Sequence, residues 1–172
     1  MQGMVLVIGL ALIFYFDGRY RKIPNKVLVP MVAFGFLFNT VTLGIPGFMD
    51  SLVGSFVGLA LLFIPFALQG VGAGDVKLLA AIGALQGYQF VLATFLYGAV
   101  IGGIWAMIIL IRQGVFFQTI KAILWNATIG LVSGRHALVP LRTLSAGRSW
   151  GFPYGIAMGI GALIRLYWGI PL

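Results

Sequence analysis

The sequence predicts an all-α, polytopic membrane helix bundle of about six transmembrane helices, and three observations carry that prediction: composition, the length of the apolar runs, and the placement of the basic residues. Of the 172 residues, 61% are hydrophobic and 8% are charged, and the mean hydropathy is +1.09, well outside the range of water-soluble domains. Such a chain must be solvated by lipid. Apolar runs cover about 1–16, 27–43, 51–68, 76–87, 89–111 and 152–170, each bounded by charge, Gly or Pro. A helix satisfies its backbone hydrogen bonds within one segment, as the bilayer interior demands, so the runs read as spans.

The first run lacks a positively charged start and a small-residue cleavage site, and is read as a retained span, not a secretory signal. At 16 residues it is a little shorter than the roughly 17–25 expected of a spanning helix, which places its end near the interface. Residues 76–87 span only together with their flanking turns; a short or tilted helix buried among the others is expected. The stretch of about 40 residues after Arg112 carries Phe116, Phe117, Ile120, Ile123, Leu124 and Leu131 around Lys121 and Asn126. That pattern predicts a basic amphipathic helix lying on the membrane. Glycines four apart (Gly54 and Gly58, Gly83 and Gly87, Gly98 and Gly102, Gly155 and Gly159) predict close helix packing. Nothing marks a second domain, so residues 1–172 are expected to form one membrane-embedded unit.

The basic residues orient the bundle, because positively charged loops stay cytoplasmic. Arg19, Arg21, Lys22 and Lys26 follow the first run, Lys77 sits at the third junction, and Arg112, Lys121, Arg135, Arg142 and Arg148 lie between the fifth and sixth. All fall on one side. Arg165, at the far end of the last run, is expected to snorkel outward. Both termini are then expected outside. The net charge of +8 is spread between apolar segments and forms no continuous soluble patch, which argues for a lipid-surface role and against nucleic acid.

Few groups are available for chemistry. Cysteine is absent and His136 is the single histidine, which excludes a thiolate metal site and most histidine clusters; no metal site and no cofactor are expected. Glutamate is absent, leaving Asp17, Asp50 and Asp75. Two spans separate Asp17 from Asp75, so both return to one face, whereas Asp50 falls on the other. Ionisable groups at the membrane persist mainly where they pair, line a cavity or do chemistry. Each also has a purely structural reading: Asp17 as an interfacial charge paired with Arg19 or Arg21, Asp75 as a helix N-cap or first-turn acid. Gly72 and Gly74 stand immediately before Asp75, where glycine admits a positive φ or the close approach of another chain. The Gly-Lys-Ser/Thr ending of a phosphate loop is missing. Two carboxylates facing each other cannot both ionise easily, so one holds a proton while the other acts as base, an arrangement that activates water toward a peptide carbonyl.

The segments Asp17-Gly-Arg-Tyr-Arg-Lys-Ile-Pro-Asn25, Gly72-Ala-Gly-Asp-Val-Lys-Leu-Leu-Ala-Ala-Ile-Gly83 and Phe152-Pro-Tyr-Gly155 resemble, in order and spacing over essentially the whole chain, the type IV prepilin peptidases, which are GxGD aspartic proteases. The resemblance implies that Asp17 and Asp75 are the catalytic pair. It implies cleavage of the leader peptide from prepilins, each a leader followed by a hydrophobic helix, at the cytoplasmic face of the bacterial inner membrane. Gly72, Gly74, Lys77, Pro24, Asn25, Pro153, Tyr154 and Gly155 are then expected to bind substrate or shape the loops, Ile23 to Asn25 lying behind Asp17 and Lys77 giving structural or electrostatic support. Longer members of the family carry a cytosolic portion with paired cysteines and also N-methylate the trimmed pilin; this chain looks more like the short, peptidase-only form of tight-adherence (Tad/Flp) pilus systems. Two other classes remain: a proton- or cation-coupled transporter, which would hold its acids at mid-membrane depth, and a structural subunit of a pilus or secretion assembly, whose aspartates would serve as caps.

Overall fold

The computed structural model of the protein describes residues 1–20, 23–67, 71–114, 116, 117, 121 and 154–169. Six helices run through them: α1 (Gln2–Tyr20), α2 (Asn25–Leu43), α3 (Ile45–Ala67), α4 (Ala73–Gln86), α5 (Tyr88–Arg112) and α6 (Tyr154–Trp168). There is no strand among the described residues. Four helices, α1, α2, α3 and α5, are long and apolar enough to cross a membrane. At 14 residues α4 extends only about 21 Å, less than the roughly 30 Å hydrocarbon core. The chain divides into two compact units, one of Met1–Gly102 with Pro153–Leu172 and one of Gly103–Phe152. Most of the basic stretch after Arg112, and with it the expected amphipathic helix, lies outside the described residues.

The helices are apolar on the outside as well as the inside. Val29, Leu37, Phe56, Phe63, Ile64, Leu96 and Val100 are exposed, a surface that suits lipid and not water. Inside, Leu6, Leu10 and Ile13 of α1, Leu28 and Met31 of α2, Leu62 of α3 and Met158 of α6 close around α4. The helix α4 is buried from Val76 to Leu85 apart from Lys77. A helix apolar on every face belongs in the centre, and α4 packs against α1, α2, α3 and α6. The expectation of a short helix buried among the others describes it.

Glycines make this packing close. A side-chain carbon on Gly54 of α3 would run into the backbone of Gly83 of α4, and the reverse also holds. One on Gly58 would lie 2.6 Å from the Leu79 carbonyl oxygen, and one on Gly161 of α6 would lie 2.7 Å from the Thr94 carbonyl oxygen of α5. These are backbone-to-backbone approaches of the small-residue kind. Two further glycines turn the chain: Gly44 and Gly87 have φ of 67° and 81°, and each alone joins two helices, α2 to α3 and α4 to α5.

Two helix ends depart from the sequence reading. The helix α3 begins at Ile45, a turn and a half before the apolar run, because Pro46 is tolerated in a first turn, where its missing N–H has no partner to lose. The helix α1 does not stop at Asp17 but continues to Tyr20, with the Arg19 guanidinium lying 5.9 Å from the Tyr20 ring centroid. Arg165, expected to snorkel outward, is partly exposed, and its Nη1 is buried with no hydrogen-bond partner among the described residues.

A polar knot ties four helices together near the N-terminus of α1. Gln2 of α1 donates to Asn39 Oδ1 of α2; Asn39 Nδ2 donates to Ser51 Oγ of α3 at 2.7 Å and to the Ala84 carbonyl of α4 at 3.2 Å. Asn39 and Ser51 are buried. Removing the amide strands both acceptors in an apolar setting, so Asn39→Ala is expected to cost about 2 kcal/mol. Thermal unfolding in detergent measures that loss.

Candidate active site

Three helix ends meet opposite that knot. The helix α1 brings Asp17 in its last turn, α4 brings Asp75 in its first turn, and α6 begins with Tyr154 and Gly155. A Cβ placed on Gly155 would lie 3.0 Å from Asp17 Oδ2 and 3.1 Å from Asp75 Oδ1. The two carboxylate oxygens are therefore separated by no more than the sum of those distances. Residues 58 positions apart in the chain converge on one glycine. Asp17 is 7% exposed.

The Gly72–Asp75 turn is built by the backbone. Gly72 caps α4 with φ of −77°; its carbonyl accepts from the Asp75 and Val76 N–H groups, and its N–H donates to Asp75 Oδ2 at 3.2 Å. That last bond is the reciprocal half of a capping box, so the cap reading of Asp75 and its place at the site coexist. The positive φ allowed for at these glycines is not used at Gly72, nor at Gly74; close approach is what they provide. A Cβ on Gly72 would stand 3.3 Å from Asp75 Oδ2, and one on Gly74 would stand 3.2 Å from Ile23 Cβ.

Asp75 lies outside the four helices long enough to span. Burial, reinforced by the nearby Asp17 carboxylate, pushes its pKa up from 3.8 to about 6, against the opposing pull of hydrogen bonds from the Gly72 and Gly155 backbone. One carboxyl of a close pair that holds its proton near neutrality is the condition for acid–base cooperation.

The remaining residues singled out in the sequence surround this point. Pro24, extended at φ of −74° and ψ of 131°, precedes α2, and Asn25 Oδ1 accepts from Lys77 Nζ at 3.3 Å, tying the start of α2 to α4. Tyr154 packs against the core. Pro153 lies outside the described residues, as do Arg21 and Lys22. Among the described residues, no group of three or more His, Cys, Asp or Glu is placed to hold a metal ion. Ile23 contacts the site glycines from the connecting loop. As an apolar residue between charges it carries no chemical signal of its own in the sequence beyond its place before Pro24.

Asp50 is held elsewhere. Its carboxylate fills the space a side chain on Gly87 would need, just past the C-terminal end of α4, so the length of that helix separates it from Asp75. Asp50→Asn is expected to leave the activity of folded protein within about twofold, the range of substitutions away from a site. A larger loss of activity at normal expression would put Asp50 in the machinery.

Fold and site together define a multi-pass membrane helix bundle with a pair of converging aspartates at one end. Residues 4–107 match the type IV leader peptidase family, and the chain belongs to that family. Among curated proteins it is similar to a prepilin leader peptidase/N-methyltransferase of Stutzerimonas stutzeri, 29% identical over 64% of this chain and 40% of the relative. The similarly described proteins of Xanthomonas campestris pv. campestris and Pseudomonas aeruginosa are 33% and 30% identical, over 52% and 62% of this chain and 34% and 39% of their own length. The chain thus spans well under half the length of these relatives. No solved structure matches it.

Proposed function

We propose that the protein is an aspartic endopeptidase that removes the leader peptide of type IV, Flp-like prepilins at the cytoplasmic face of the bacterial inner membrane, the whole chain acting as one peptidase domain. The observation that carries this reading is the convergence of Asp17 and Asp75 on Gly155, in a chain of the type IV leader peptidase family. Asp75, whose proton is retained to higher pH, is the acid that polarises the scissile carbonyl; Asp17 is the base that takes a proton from the attacking water. The roles reverse as the proton passes to the departing nitrogen and the carbon–nitrogen bond breaks. Gly72 and Gly74 set the turn that carries Asp75, Pro24, Asn25 and Lys77 set the loop behind Asp17, and Tyr154 and Gly155 seat α6 against both.

The basic residues support the cytoplasmic side. Arg19 in the last turn of α1, Lys26 in the first turn of α2 and Lys77 just past the first turn of α4 share the aspartate end of the bundle, the cytoplasmic end by the positive-inside rule, with the two termini outside. A transporter would carry its acids near mid-membrane, whereas these stand in terminal turns. The test is incubation of purified protein in detergent with several Flp-type prepilins, with the products read by mass spectrometry. A single cut just before the hydrophobic helix is the expected result. Intact substrate after incubation with folded protein would favour the transporter or assembly roles.

A further inference from the structure

Ile23 stands where the three parts of the site meet. A Cβ on Gly74 of α4 would lie 3.2, 3.4 and 3.5 Å from Ile23 Cβ, Cγ1 and Cδ1, and a Cβ on Gly155 of α6 would lie 3.0 Å from Ile23 Cδ1. The isoleucine therefore fills the space that both glycines leave vacant. Beside it, on the same Gly155, are the Asp17 and Asp75 oxygens at 3.0 and 3.1 Å.

The side chain is held stiffly. Pro24 confines the preceding residue to extended backbone, and branching at Cβ restricts χ1. One residue further on, Asn25 is tied to α4 by Lys77 at 3.3 Å. An apolar group this constrained, touching the N-terminal turn of α4 and that of α6, fixes how near those turns come to each other and to the end of α1.

From this geometry we infer that Ile23 is a positioning residue for the aspartate pair: a rigid apolar wedge, seated in the notch of Gly74 and Gly155, that sets the Asp17–Asp75 spacing and shields the pair from water. The inference rests on the peptidase reading for its consequence but on the contacts alone for its geometry. Shortening the wedge admits water and lets the turns shift. Both changes weaken the burial and the Asp17 repulsion that hold the Asp75 proton. Among the described residues, the other titratable side chains at this end of the packed elements are Lys77, held by Asn25, Tyr154 at the start of α6, Arg19 and Tyr20 in the last turn of α1, and Lys26 in the first turn of α2. None is altered in the variants below.

The experiment compares wild type with Ile23→Val, Ile23→Ala and Gly74→Ala, the last pushing on the wedge from the opposite side. Two readouts are taken: kcat and KM for prepilin cleavage across pH, and, with no substrate present, infrared titration of the protonated carboxyl band, assigned by its loss in Asp75→Asn. Ile23→Ala is expected to lower kcat about tenfold with KM within twofold, and to move the carboxyl titration and the high-pH limb of kcat downward together. Gly74→Ala is expected to lower kcat also, and Ile23→Val to stay within about threefold of wild type. A carboxyl titration unmoved in folded Ile23→Ala and Gly74→Ala overturns the inference whether or not any prepilin is cut. If Ile23→Ala does not fold, Gly74→Ala alone decides it. A titration that moves while wild type cuts no prepilin supports the wedge and counts against the peptidase reading.

Discussion

Asn in place of Asp17 or Asp75 is expected to lower prepilin cleavage by about 10²–10⁴-fold, the usual loss when a general acid or base is removed. The Asp17→Asn/Asp75→Asn double variant is expected to be little worse than either alone, because groups that act as a unit lose their effect together. The geometry argues for the pair and not for one acid: their oxygens flank the same Gly155 position at 3.0 and 3.1 Å. Asn preserves shape and can still accept the Gly72 N–H at position 75, so membrane insertion should be unaffected. Measurement of initial rates on one prepilin, with each variant purified to the same elution profile as wild type, provides the check. Substantial activity in Asp17→Asn would show that Asp75 works with some other group.

Much of this arrangement was legible from spacing. Two apolar runs between Asp17 and Asp75 return the chain to the face it left, and the structure places both acids at one end of α4 and Asp50 past the other. The glycine spacings foretold close packing, realised at Gly54 against Gly83. Other features had no local signal. The hydrogen bond between Asn39 and Ser51 joins residues on different helices, and nothing around either residue names its partner. For Ile23 the resemblance gave a place behind Asp17 but not its closeness to Gly74 and Gly155, which arises only in tertiary packing. At Gly72 the sequence allowed two uses of glycine, a special backbone angle or close approach, and its extended φ of −77° decides for the second. The end of α1 was obscured by chemistry: Asp17-Gly-Arg-Tyr reads as an interface, yet the helix continues through it with Gly18, Arg19 and Tyr20 exposed, one glycine costing a helix only about 1 kcal/mol.

The same carboxyl that suits catalysis should burden the fold, and pH separates the two. Cleavage needs Asp75 protonated, so kcat/KM is expected to fall about tenfold per pH unit above pH 6, the value to which burial and the Asp17 charge raise this group. Stability follows the same proton. In the unfolded chain Asp75 ionises near its ordinary 3.8; in the fold it does so near 6. Between those values the folded state binds more proton than the unfolded state, so stability is full below 3.8, declines as pH rises through 6, and is flat above. With each unit worth about 1.4 kcal/mol, the decline amounts to roughly 3 kcal/mol. Asp75→Asn has no proton to lose. It is therefore expected to match wild type in thermal stability at pH 3.5 and to exceed it at pH 8 while being inactive at both. Melting curves in detergent from pH 3.5 to 8 would show the two proteins diverging through pH 4 to 6. Parallel curves would mean that Asp75 is solvated enough to ionise freely, and that the proton needed for catalysis is held elsewhere.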